Sequence, residues 1–134
     1  MNTEIAKANV RFVARQLGFD DCRIAAATRA PHADNYIKWV EEGHAGDMGW
    51  LEKNVERRCD PREVLPGCKS IVSLALNYLP AKKQPRSDYR IARYSWNDDY
   101  HDLIQDKLKD LDLAMQDMGG IQRYYVDTLS LIHI

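Results

Sequence analysis

Residues 70–76 read SIVSLAL, a run that is apolar apart from its two serines and β-branched at Ile71 and Val72. A half-wet strand alternates polar and apolar side chains, so a run this apolar predicts a central strand covered on both faces. Upstream, Ile5, Ala8, Phe12, Val13 and Leu17 recur at helical spacing, with Thr3 placed to cap the start and Gly18 the end. Residues 22–27 form a short apolar run that reads as a strand weakened by its alanines. Tyr36, Ile37, Trp39 and Val40 predict a second helix ending near Gly43, and GHAGDMGWLEKN (43–54) a structured loop running into a short helix. Downstream, PAKKQPRSDYR (80–90) has the prolines and basic side chains of an exposed loop, and IARYSW (91–96) reads as a strand. Asp98 or Asp99 then caps a long helix with Leu103, Ile104, Leu108, Leu111, Met115 and Met118 on one side, ended by Gly119 and Gly120. YYVD (124–127) closes the pattern as a short strand. Helices alternating with strands predict an α/β domain, a mixed sheet flanked by helices.

At 134 residues and 45% hydrophobic, the chain suits one compact domain. Its 19 basic and 20 acidic side chains leave a formal charge of -1, which excludes a whole-molecule field for nucleic acid or an anionic membrane. Any RNA contact is then a local patch, for which Lys82, Lys83, Arg86, Arg90 and Arg93 are candidates; the alternative is a solvated loop. Glu4, Lys7, Arg11 and Arg15 interrupt the apolar residues of the N-terminus, unlike a secretory signal, and no run approaches the roughly 18 apolar residues of a membrane span. A cytoplasmic location without membrane contact is expected. Cys22, Cys59 and Cys68 are odd in number and widely spaced, which suits reduced thiols better than disulfides or a metal site.

Chemistry concentrates in RRCDPREVLPGCKSIVSLALNY (57–78), RIARYSWNDDYHD (90–102) and YYVDT (124–128). With LGFDDCRIA (17–25) and residues 43–54, in this order and spacing, these stretches resemble the N-terminal domain of epoxyqueuosine reductase over nearly the whole chain to Thr128. The resemblance implies a nitroreductase-like, corrinoid-binding fold and an oxidoreductase that reduces epoxyqueuosine to queuosine at the tRNA wobble position. It implies cobalamin, held base-off in this domain, and two 4Fe-4S clusters that deliver electrons to it. Such clusters need closely spaced cysteines, and this sequence holds no such run, so the chain is expected to be the cobalamin-binding part alone and inactive by itself. A monomer with tRNA as substrate and an unidentified electron-donor protein is expected.

The resemblance also assigns residues. Asp127 matches the family's proton-donating aspartate in its VDT motif; beneath an apolar corrin such a carboxyl would be desolvated and hold its proton near neutrality. By its residues alone, Asp127 reads equally as the cap of the following turn. Arg58 matches a cobalamin-contacting arginine, whose fixed donors suit an amide-rich corrin periphery, although Arg57, Arg58 and Arg62 also read as a solvated cluster beside a turn at Pro61. Ala92 matches a small residue where the backbone approaches the corrin, and Arg93, Tyr94 and Trp96 are expected to line the same site. No protein ligand to a metal is implied: His101 reads as a helix-start residue near the pocket, and His32, His44 and His133 as isolated surface residues.

One departure bears on the domain limits. The family continues past its aspartate motif with an Ala-Pro step, whereas here LSLIHI (129–134) follows, the hexapeptide that a common sequencing-library adaptor encodes in frame. The domain is therefore expected to comprise 1–128, with 129–134 outside the family. Two other readings remain: another corrinoid or flavin reductase of the same fold, or a non-enzymatic module.

Overall fold

The computed structural model of the chain describes residues 2–79, 89–96 and 98–126, with backbone alone at Arg93 and Tyr94. Its regular elements are α1 (Thr3–Gln16), β1 (Asp21–Ala26), α2 (Ala33–Glu41), α3 (Val55–Cys59), β2 (Ser70–Ala75) and α4 (Tyr100–Asp117). Single 3-10 turns lie at Gly49–Glu52, Pro61–Glu63 and Arg93–Trp96. Two compact units emerge: one from Met1–Cys22 with Leu74–Ile121, the other from Arg23–Ser73 with the described residues from Gln122 onward. The sheet is the pair β1–β2, and each strand contributes residues to both units. It runs antiparallel: Asp20 N–H donates to Ala75 O at one end (2.9 Å) and Ala27 N–H to Lys69 O at the other (2.9 Å).

In the first unit α1 packs on α4. Asn2 caps α1 by accepting the Glu4 N–H (3.1 Å), one residue before the expected Thr3. At the other end Gly18 takes a left-handed φ of 87°, and Lys107 Nζ of α4 donates to the Leu17 carbonyl (2.5 Å). That ammonium satisfies an oxygen the helix leaves open and sets a cation at its negative end. On α4 and its C-cap Met118 the inward positions are Ile104, Leu108, Leu111, Met115 and Met118, with Leu108 and Leu111 buried. Spacings of three and four put these five on one stripe. Leu103, expected on that side, is 50% exposed because it lies a third of a turn round from Ile104.

The second unit buries small side chains, chiefly Ala27, Ala33, Ala45 and Cys59, together with Val126. Tyr36, Ile37, Trp39 and Val40 are half-buried along α2, on the apolar face their spacing predicts.

Three strand expectations need correction. β2 forms at its expected place but is not covered on both faces: Ile71 is 38% exposed, and β1 is its one neighbour among the described residues. Residues 91–96 do not form a strand. Ser95 N–H and Oγ both donate to the Ala92 carbonyl (3.1 and 2.7 Å), and the Trp96 indole N–H reaches back to Ile91 O (3.1 Å), closing a 3-10 turn. Residues 124–126 join no ladder among the described residues.

Candidate functional site

In the second unit the expected cofactor contact Arg58 projects from α3, which starts at Asn54 in the left-handed region (φ 56°). Asparagine tolerates that conformation better than other residues bearing a Cβ. The Arg58 guanidinium spans the preceding 3-10 turn, Nε donating to Lys53 O (3.1 Å) and Nη2 to Trp50 O (2.9 Å). From α2 the Tyr36 hydroxyl donates to the Leu51 carbonyl. Two helices thus hold the 50–53 backbone, and the half-exposed Trp50 rides on it. Arginine carries five N–H donors, so this bracing leaves a guanidinium able to bind further acceptors.

At the end of α3, Asp60 caps the next turn, with Pro61 at the first helical position. Its carboxylate accepts the Arg62 backbone N–H (2.9 Å) and a two-pronged contact from the Arg62 side chain (2.8 and 2.5 Å). The side-chain contact first, and the backbone N–H second, hold Asp60 down at about 2, against an ordinary 3.8. A depressed folded-state value makes the contribution to stability complete above the ordinary value and lost as pH falls through about 2. Carboxyl NMR titration should give that low midpoint, and Arg62→Ala should raise it. An unchanged midpoint in the variant would show that the guanidinium is not its cause.

All three cysteines are free thiols, and burial pushes Cys22 and Cys59 up, which keeps them protonated. Among the described residues no group of three or more His, Cys, Asp or Glu side chains is placed to hold a metal. No helix among them is long and apolar enough to cross a membrane. One polar group stands out in the second unit: Gln122 Nε2 and Oε1 are both buried and find no hydrogen-bond partner among the described residues. Sequence reading missed it, since nothing local marks a glutamine whose amide will be desolvated.

In the first unit Ala92 is exposed and Trp96 half-buried, joined through the turn at Arg93–Trp96. Asp99 caps α4 by accepting the His101 N–H (2.9 Å), and its Oδ1 lies 2.8 Å from His101 Nδ1. The N–H first, and the ring second, hold the Asp99 carboxyl below its ordinary value. His101 therefore sits in the first turn of the helix, as expected. The Tyr100 ring stacks on His101 (centroids 4.2 Å apart) and on Tyr78 (5.6 Å), a grouping no local pattern announced.

The expected site residues are thus distributed: Ala92 and Trp96 share one turn of the first unit, and Arg58 belongs to the second. Asp127, Lys82, Lys83, Arg86, His133, the 129–134 tail and the side chains of Arg93 and Tyr94 lie outside the described residues.

The family model for "Epoxyqueuosine reductase QueG, DUF1730" matches residues 58–128. An epoxyqueuosine reductase of Cyclobacterium marinum is 37% identical over 127 residues, covering 89% of this chain and 40% of that protein. Among solved structures, an epoxyqueuosine reductase with a stem loop of epoxyqueuosine-modified tRNA-Tyr superposes with a TM-score of 0.74 at 30% identity, covering 87% of this chain and 32% of that one. A Bacillus subtilis epoxyqueuosine reductase, its catalytic aspartate loop swung out of the active site, gives 0.67 at 28% identity, with 87% and 32% covered. The chain spans about 40% of the length of the curated relative. A match across more than half the sequence, joined to the same backbone course in solved relatives, places this mixed α/β chain in the epoxyqueuosine reductase family.

Proposed function

We propose that the chain is the cobalamin-holding part of an enzyme that reduces the epoxide of epoxyqueuosine, at the tRNA wobble position, to the alkene of queuosine. One observation carries this reading: the family match over 58–128 takes in Arg58, Ala92, Trp96 and Asp127. The stem loop on a solved relative supports tRNA as substrate. The catalytic aspartate loop of the Bacillus subtilis relative supports the same role for Asp127. The corrinoid-binding domain of nitroreductase-like type is taken as 1–128, with 129–134 outside it, acting in the cytoplasm where tRNA is modified.

Two groups can be tested against the residues present. A corrin presents a flat face and a rim of carboxamides. The amide of Gln122, buried and without a hydrogen-bond partner among the described residues, would offer such a rim a donor and an acceptor, and the Arg58 guanidinium of the same unit would offer further N–H groups. Cobalamin fits. The 4Fe-4S clusters do not, because Cys22, Cys59 and Cys68 lack the close spacing of cluster ligands and two of them are protonated, buried thiols. Their ligands would belong to the remainder of a relative-length protein.

When bound, the corrin's cobalt supplies the electrons of the reduction. The protein's task is the proton. Removing the epoxide oxygen as water consumes two electrons and two protons, and the C–O bond breaks poorly while the oxygen must leave as an alkoxide. A neutral Asp127 carboxyl would protonate that oxygen as the bond opens. Arg58 and Gln122 would hold the cofactor, and by the family resemblance Ala92, Arg93, Tyr94 and Trp96 would be its further contacts.

Nucleoside mass spectrometry tests the reading. A relative-length form should convert epoxyqueuosine in tRNA to queuosine only with cobalamin present, whereas the 134-residue chain should bind cobalamin but form no queuosine with a chemical reductant. Turnover without cobalamin would overturn the cofactor assignment, and turnover by the 134 residues alone would overturn the need for clusters.

A further inference from the structure

The apolar positions of α1 part into two stripes. Val13 and Leu17 are half-buried and turn inward with the buried Val10 and Ala14. The remaining three turn outward: Ile5 is 54% and Phe12 64% exposed, and Ala8 between them is exposed as well. Ala8 precedes Val10, and Phe12 precedes Ala14, by a step of about 200° on a helix, which sets the second stripe on the far side of α1 from its buried residues. Spacings of three and four align its side chains. The chemistry above uses none of them.

Charge is laid along this stripe with a direction. Glu4 borders it in the first turn of α1, and Arg11 and Arg15 border it on the same flank towards the last; all three are exposed. Asn9 and Gln16, on the other flank, are uncharged. Glu4 Oε1 accepts from Lys7 of its own helix (2.8 Å), which leaves its second oxygen for an arginine. An apolar stripe with acid at one end and base at the other is complementary to itself when two copies lie antiparallel. With Ile5 set over the second copy's Phe12, Ala8 meets the second copy's Ala8, and two such small side chains let the helices approach. Glu4 then comes level with the gap between the second copy's Arg11 and Arg15. A two-fold axis repeats every contact at both ends and closes the pair. A parallel pair would set glutamate beside glutamate and arginine beside arginine, which repel.

We propose that the outer stripe of α1 is the interface of a symmetric dimer, covered by α1 of a second copy of this chain. Such a dimer departs from the monomer expected above and is independent of the proposed function. One 14-residue helix makes a contact below the roughly 1,200 Å² of a stable interface, so association should be weak and concentration-dependent.

Sedimentation velocity on the 134-residue chain, from about 10 µM to about 1 mM, tests it. Wild type should shift from monomer towards dimer across that range. Phe12→Glu, at a position too exposed to govern folding, should weaken association at least about tenfold, since a ring is lost and a charge gained at both ends of the interface. Glu4→Arg should weaken it about twofold to 30-fold, an exposed ion pair counted twice, and so should Arg11→Glu joined to Arg15→Glu. An equimolar mixture of those two variants should associate more tightly than either alone, because each supplies the charge the other has lost. A sticky patch without this geometry would show no such recovery. A wild-type chain still monomeric at about 1 mM would overturn the dimer. So would Phe12→Glu associating like wild type with circular dichroism unchanged, or a mixture no tighter than its components. A relative-length form should dimerise with the same pattern of variants; a monomer in which Phe12 is shielded from hydroxyl-radical labelling would overturn the proposal by giving the stripe to the remainder of that protein.

Discussion

Leu111→Ala is expected to destabilise the chain by about 2–5 kcal/mol, seen as a lower urea midpoint at an unchanged slope. Leu111 is 3% exposed on the stripe where α4 meets α1, beside buried Leu108 and opposite the helix that buries Val10 and Ala14. Ala14 on α1 is fully buried, and so small a side chain has nothing to extend into a hole at the seam. The loss is large against the roughly 5–15 kcal/mol that holds an ordinary domain folded. Leu113→Ala, two residues on and 52% exposed, is the control and should change stability by less than about 0.5 kcal/mol. Equal shifts in the two variants would show that the α1–α4 seam is not where the first unit draws its stability.

That seam was readable because a helix writes its buried face into the sequence as spacings of three and four. Ile104, Leu108, Leu111, Met115 and Met118 keep that spacing, and Asp99 before Tyr100 marked the start. Residues 91–96 misled because Ile91, Tyr94 and Trp96 have strand propensity, while the turn is made by Ser95 and Trp96 bonding back to main-chain oxygens, which propensity does not weigh. For SIVSLAL the location was legible but the cover was not: apolarity on both faces says that something must pack there, and the described residues supply β1 as its neighbour in the sheet. The candidate site was legible as motifs rather than as geometry. Nothing around Arg58 foretold that two of its donors would brace the 50–53 turn, since that depends on the left-handed Asn54 folding the turn back over α3. The Tyr78–Tyr100 stack joins rings 22 positions apart, beyond any helical or strand period.

In a relative-length protein, Asp127→Asn is expected to lower the rate of epoxyqueuosine reduction by about 10²–10⁴, the usual cost of removing a general acid. Asparagine keeps the size and hydrogen-bonding capacity of the carboxyl but has no proton to give the opening epoxide. Cobalamin binding, followed by its visible spectrum, should persist. Arg58→Ala should behave in the opposite way: it removes both the guanidinium offered to the cofactor and the bonds to Trp50 O and Lys53 O, so cobalamin should bind more weakly while the bound fraction turns over at close to the normal rate. Arg58→Lys separates those two losses. It keeps a cation but not the fork that spans two carbonyls, so a cofactor affinity as poor as in Arg58→Ala would assign the role to the braced turn, and recovery would assign it to charge. The pH profile supplies the final discrimination. If Asp127 is the proton donor, the wild-type rate should fall as pH rises through its titration, and Asp127→Asn should lose that limb. A variant that turned over at the wild-type rate with the limb intact would return Asp127 to a turn-capping residue and place the proton elsewhere.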